Sequence, residues 1–221
     1  LQGNIASVGA SIGIALYPDD AKSSDELLKN ADVAMYQAKQ IGRNTFQFFT
    51  PRMNHEANQR LQKERQLKNA QLNQEFVNHY QPIIDVHSGK IIGGEMLLRW
   101  RSEQGLLLPE EFITLAEELR VMPDISEAAI ERSLQNLSEW QKIYPDLFVS
   151  INLSSLHFVD ENLVKKLKSM LTKYGISAES LRIEVTENTL MSEPEKVIGV
   201  LRSLVGIGMS ISLDDFGLGY S

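Results

Sequence analysis

FVSINL (148–153), LRIEVTE (181–187) and SISLDDF (210–216) are three strand-like apolar runs, and each carries oxygen ligands: Asn152, Glu184, and Asp214 with Asp215. Asn152 and Glu184 stand 32 residues apart, and Glu184 and Asp214 stand 30 apart, about one strand-plus-helix unit each. Successive parallel strands at that interval deliver their ligands to one end of one sheet, which is how an α/β barrel builds an active site. Glu95, inside a further strand-like run, GGEMLLRW (93–100), is a candidate to join them.

The surrounding sequence supports an alternating α/β chain. VNHYQPIID (77–85) and IIGGEMLLRW (91–100) flank a turn at Ser88 and Gly89 and read as a hairpin. Pro109 opens a helix through Leu119, and further helices are expected over 125–140, 163–171 and 194–204. The last three strands and the helices between them form a βαβαβ series, so the sheet is expected to be mostly parallel with right-handed crossovers.

The first 50 residues read as a separate unit. VGASIGIAL (8–16) sets Val8, Ala10, Ile12, Ile14 and Leu16 on one face and small residues on the other, a strand that something packs against closely. Ser23 and Glu26 have capping-box spacing ahead of a helix whose stripe is Leu27, Leu28, Ala31, Ala34, Met35 and Ala38, read as core, with Gly42 at its end. A short strand, TFQFF (45–49), follows. Residues 51–75 are rich in Gln, Asn, Lys and Arg, with too few apolar positions to nucleate a core, and read as a connecting helix between domains 1–50 and 76–221.

Composition narrows the chemistry. With 221 residues and 43% hydrophobic content there is material for one large domain or parts of two, and no apolar run approaches the roughly 20 residues of a membrane span. No Cys is present, which excludes disulfides and thiolate metal sites and fits a reducing, cytoplasmic setting. A formal charge of −7 provides no broad basic footprint for duplex nucleic acid, while an acidic protein can still bind a small nucleotide through divalent cations.

In order and content, YQPIID, GGEMLLRW, PEEFITLAEE, VSINLSS, LRIEVTEN and LDDFGLGYS, spread over residues 80–221, resemble the EAL family of cyclic di-GMP phosphodiesterases. SIGIALYP, ADVAMYQAK and GRNTFQFF are similar to the closing part of a GGDEF domain, the diguanylate cyclase family. The resemblance implies a partial TIM-like (β/α) barrel of EAL type preceded by the C-terminal part of an α/β GGDEF domain. It also implies hydrolysis of cyclic di-GMP to linear pGpG and a homodimer through the EAL domain. Glu95, Asn152, Glu184, Asp214 and Asp215 match metal ligands of that family, an oxygen-only set suited to a pair of Mg²⁺ or Mn²⁺ ions. Glu187 matches an acid that orients the loop after the Asp-Asp pair, and Gln81 and Arg99 match positions near the bound dinucleotide.

Departures accompany the matches. The Glu-Ala-Leu signature reads Glu95-Met96-Leu97, which keeps the carboxylate. No GG(D/E)EF sequence occurs, so the cyclase loop is missing from these residues. The chain reads as a fragment whose catalytic Lys, a further metal-binding acid and last barrel strands follow Ser221. On that reading it is itself inactive, and its parent has room for a membrane anchor upstream. A lone Asp-Asp before a Gly-rich turn is ordinarily a strand-end turn or a cap; its company with Glu95, Asn152 and Glu184 favours metal. His55, His79, His87 and His157 fit no ligand spacing and read as structural or solvated. Two other readings stay open, a degenerate site acting as a cyclic di-GMP sensor and a scaffold that binds no nucleotide.

Overall fold

The computed structural model describes residues 9–70, 73–215 and 217. Val8 of the first strand-like run, and Phe216 with 218–221 of the Gly-rich turn, lie outside the described residues. The chain divides into two compact units, 1–66 and 67–221.

In the first unit, β1 (Ile12–Ile14) pairs in parallel with β2 (Phe46–Phe48), and α1 (Ser24–Gln40) connects them. The Ser23 hydroxyl caps α1 by accepting from the Glu26 N–H at 3.3 Å. The Glu26 carboxylate returns to the N–H of Lys22, one residue before the cap, at 3.1 Å. A Cβ on Gly13 would fall 1.9 Å from the Ala31 carbonyl oxygen, so α1 rests directly on the small-residue face of the strand. The expected stripe needs one correction. Leu28 is 67% exposed, because the buried line of α1 runs through Asn30, Ala34 and Ala38, and Leu28 lies about 200° around the helix from Asn30. Asn30 is held in that line by hydrogen bonds, donating to the Asp20 carbonyl at 2.7 Å and accepting from the Asn54 amide at 3.2 Å.

α2 (Pro51–Ala70) is polar nearly all round, and the division between the units falls within it. Ion pairs of i,i+4 spacing, Arg52 with Glu56 at 2.6 Å and Arg60 with Glu64 at 3.0 Å, add a few tenths of a kcal/mol each.

The second unit is built on a six-stranded sheet. β3 (Phe76–Ile84) and β4 (Ile91–Ser102) form the expected antiparallel hairpin, with the Asp85 carboxylate accepting from the N–H and hydroxyl of Ser88 in its turn. Those two hydrogen bonds hold Asp85 below the usual carboxylate range. β5 (Gly105–Leu107), which the sequence did not announce, folds back on β4. β6 (Phe148–Asn152), β7 (Leu181–Thr186) and β8 (Ser210–Asp214) then add in parallel beyond β4, in the order β3-β4-β6-β7-β8.

Helices α3 (Ile113–Glu118), α4 (Met122–Trp140), α5 (Leu163–Tyr174), α6 (Glu187–Ser192) and α7 (Pro194–Gly206) fill the intervals. A 3-10 turn, Pro109–Glu111, precedes α3 in place of a single helix from Pro109. One side of the sheet is apolar: Met96, Leu98 and Trp100 of β4, Val149 and Ile151 of β6, and Leu181, Ile183 and Val185 of β7 join Ile125, Leu134, Leu137, Leu167 and Leu204 of the helices in one core. Trp100 is fully buried, with Phe76 and Phe112 at ring-centroid distances of 5.9 and 5.8 Å, and its indole N–H donates to Glu75 at 2.9 Å. Parallel strands with helices packed on one face make this a partial (β/α) barrel.

The floor of the opposite face is set by Gly93. It pairs with Phe148, and a Cβ there would stand 2.8 Å from three atoms of that ring. Gly93→Ala should therefore lower stability by about 1–3 kcal/mol through overpacking, seen as a lower urea midpoint. Adding Phe148→Leu should restore part of the loss, and an unchanged midpoint for Gly93→Ala would show that the contact is not tight.

Candidate active site at the carboxyl ends of the strands

Side chains alternate across a strand, so residues in register or two apart share a face. Glu95 pairs with Ser150, Asn152 with Glu184, Glu184 with Ser212, and Thr186 with Asp214. It follows that Glu95, Ser150, Asn152, Glu184, Ser212 and Asp214 all face the side away from the helices. The antiparallel partner of Glu95 on β3 is Gln81, which is exposed on that same face, and Arg99 stands four residues beyond Glu95 on β4. The sequence-predicted residues on β3, β4, β6, β7 and β8 are thus placed on one face, with Asp215 at its edge.

Contacts draw part of this group together. The Asn152 amide donates to Glu95 Oε1 at 2.9 Å, linking β6 to β4. The Glu184 carboxyl is pushed above the usual range, first by burial and then by repulsion from Glu95 and Asp214. The buried Ser150 hydroxyl pulls the other way, though it stands outside full hydrogen-bonding geometry, and Arg182 offsets a little more. Asp215, just past β8, has a left-handed backbone with φ of 53°, and its N–H donates to Asp214 Oδ1 at 2.9 Å. A non-glycine residue held in that region is a strained turn, which fixes the direction in which the Asp-Asp pair leaves the sheet.

Three features of the predicted set stand apart. Arg99 Nη1 donates to the Leu98 carbonyl at 2.8 Å, leaving most of its fork for another acceptor. Glu187 opens α6 behind the cap Thr186, whose hydroxyl accepts from the Thr189 N–H at 3.3 Å. Among the described residues its Oε2 is buried without a hydrogen-bond partner, and most of the loop it is expected to orient lies outside those residues. Among the described residues no three Asp, Glu or His side chains stand close enough to hold an ion as they are placed. The chemistry of the donors nonetheless suits a hard divalent cation: carboxylates and an amide share one face, and one acid, Glu184, is partly desolvated and repelled by its neighbours.

Sequence reasoning did not single out Ser150 or Arg182, which stand on the same face as the donors, in the layer of Glu95 below Asn152 and Glu184. His157 is structural, as expected. It is buried, its Nδ1 accepts from the Ser154 N–H at 3.0 Å, and burial holds its pKa below the ordinary value.

Oxygen donors at the carboxyl ends of successive parallel strands define a barrel-type site. Residues 64–221 match the EAL domain family, and the chain belongs to it. Residues 1–45 match the family described as diguanylate cyclase, GGDEF domain. Among curated proteins the chain is 39% identical to the bifunctional diguanylate cyclase/cyclic di-GMP phosphodiesterase MucR of Pseudomonas aeruginosa, over 97% of this chain and 32% of MucR. It is 37% identical to the cyclic di-GMP phosphodiesterase NbdA of the same organism, over 100% of this chain and 28% of NbdA. The chain thus spans about a third of the length of these relatives. Among solved structures, the PaMucR phosphodiesterase in complex with c-di-GMP superposes with a TM-score of 0.69 at 34% identity, covering 72% of this chain and 66% of that one. The EAL enzyme Bd1971, in its form with cAMP and cyclic di-GMP bound, gives 0.70 at 27% identity, covering 92% and 54%.

Glu184 sets a pH dependence. Its folded pKa lies above the value of about 4.5 it has in an unfolded chain, so the folded state holds the proton more tightly, and stability falls as pH rises from about 4.5 through the folded pKa. In EDTA, Glu184→Gln should therefore gain stability relative to the parent as pH increases from about 4 to 7, measured by urea unfolding. A difference that stays flat over that range would mean that Glu184 is neither desolvated nor repelled.

Proposed function

We propose that this chain carries the substrate-binding face of a metal-dependent cyclic di-GMP phosphodiesterase, which opens the cyclic dinucleotide to linear pGpG. The observation that carries the reading is the alignment of Glu95, Asn152, Glu184 and Asp214 on one face of four adjacent strands, the last three toward the carboxyl ends of β6, β7 and β8. Relatives named as cyclic di-GMP phosphodiesterases, and a neighbour solved with c-di-GMP, support the substrate. Residues 51–75 serve in this reading as the connection between the GGDEF-like and EAL parts.

The reaction adds water across one P–O bond of the ring, leaving a phosphate on one sugar and a hydroxyl on the other. When bound, a pair of Mg²⁺ or Mn²⁺ ions would supply a more acidic water and charge neutralisation at the phosphate oxygens. Glu95, Asn152, Glu184, Asp214 and Asp215 would hold that pair. For Asn152 this requires its amide to turn, presenting oxygen where its N–H now meets Glu95. Arg99 offers two donors to a phosphate in fork geometry, and Gln81, across from Glu95, offers an amide to orient the dinucleotide. Glu187 would orient the loop that follows Asp215, the role of the family acid it matches.

A second reading, a cyclic di-GMP sensor without turnover, is favoured by one observation: the described acids are not at ion-holding spacing. Calorimetric titration with cyclic di-GMP in Ca²⁺ and in EDTA, with a product assay in Mg²⁺, separates the two in the whole protein. The enzyme should bind in Ca²⁺, bind poorly in EDTA and release pGpG in Mg²⁺; binding without product in every metal would establish the sensor. In the same assay Glu95→Ala should lower turnover more than about 100-fold, and turnover within a few fold of the parent would remove Glu95 from the ligand set.

A further inference from the structure

One charge on the site face has no role in that reading. Arg182 stands two residues before Glu184 on β7, on the same face, paired with Ser150 of β6. Its guanidinium carbon lies 4.1 Å from the centroid of the Phe148 ring, which is accommodated by the absence of a side chain at Gly93. The Arg182 side chain makes no hydrogen bond and no ion pair among the described residues. An always-charged group thus rests on an aromatic shelf: Arg182 is in register with Ser150 and Glu95, one layer below Glu184 and two below Asp214, while the Phe148 ring under its guanidinium belongs to the residue paired with Gly93, a layer lower still.

We propose that Arg182 is a built-in counter-cation of the acidic mouth, steadying Glu95, Glu184 and Asp214 when no ion is bound and weakening the grip of the mouth on a divalent cation. The inference rests on the metal-dependent reading above for its second half only. Successive residues on one face of a strand stand about 6.6 Å apart, so an ion one to two layers above the guanidinium lies about 7–13 Å from it, where a unit charge changes its binding constant roughly three- to eightfold even at the screening of water. Lys keeps the charge and Met keeps much of the apolar stem, so the two substitutions separate charge from packing.

The test is calorimetric titration of Mn²⁺ into the protein without nucleotide, for the parent, Arg182→Met and Arg182→Lys. Arg182→Met should bind Mn²⁺ roughly fivefold more tightly, with a gap that narrows as NaCl is raised, and Arg182→Lys should stay within about twofold of the parent. In EDTA, a double-mutant cycle with Glu184→Gln reads the other half: Arg182→Met should lower the urea midpoint less in the Glu184→Gln background than in the parent. Equal Mn²⁺ affinity in all three proteins, with the same midpoint loss in both backgrounds, would reduce Arg182 to a packing residue on Phe148 and overturn the proposal. Arg182→Lys behaving like Arg182→Met would overturn it too. If the parent takes up no Mn²⁺, the metal-dependent reading fails and the cycle alone decides Arg182. Should Arg182→Met not fold, Arg182→Gln replaces it, and failure of both with a folded Lys variant would show a requirement in folding that the proposal does not contain.

Discussion

The site depends on a constraint that contains none of its own residues: the in-phase burial of the apolar side chains behind it. Leu181, Ile183 and Val185 are buried against the helices, and the strand period then leaves Arg182, Glu184 and Thr186 no choice but the other face. Val149 and Ile151 do the same for Ser150 and Asn152, and Met96, Leu98 and Trp100 for Glu95 and Arg99. A slip of one residue on β7 would drive an arginine and a glutamate into a core of Leu, Ile and Val, at a cost of several kcal/mol per unpaired charge. The apolar set therefore specifies the position of the acids far more strictly than the acids could specify it themselves.

Against that support, the site face works as a load on the fold. Glu184 is partly desolvated and repelled by two neighbours, Ser150 and Glu187 bury oxygens that lack partners at full geometry among the described residues, and Asp215 sits in a left-handed turn. None of these helps folding, and their concentration on one face at one end of the sheet is the pattern expected where local strain serves binding or chemistry. Arg99 belongs to the same pattern, since among the described residues its fork meets only a backbone carbonyl.

Much of this was readable because strong signals coincided. The strand runs around Asn152, Glu184 and Asp214 were apolar, bounded, and spaced by one βα unit, and the β3–β4 hairpin was marked by Ser88 and Gly89. Short or one-sided elements escaped. β5 has three residues and only one partner strand; α6 follows β7 without a loop, where Thr186 ends the strand and caps the helix in a single step. α4 begins at Met122, earlier than expected, because Pro123 sits in its first turn, where a missing N–H costs nothing. Leu28 departs from the expected stripe because apolar character alone does not fix helical phase; the polar Asn30 occupies the buried line through hydrogen bonds that only the fold reveals. Arg182 and Ser150 escaped for another reason: no spacing or motif marks a residue one layer below a site.

The order of the strands also bears on how the chain reaches this state. The hairpin turn joins β3 to β4 across six residues, 85–90, whereas each later parallel strand must close a connection several times longer before its first ladder bond forms. Local pairing is fast and distant pairing slow, so the hairpin can assemble early, with Glu95 already facing Gln81. If β6, β7 and β8 add in chain order, each brings a donor to a mouth that is more crowded than before. The electrostatic cost of the site is then deferred to the final additions, when the helices can already cover Leu181, Ile183 and Val185. A nascent chain ordered in this way meets its acids only when there is enough buried surface behind them to hold them together.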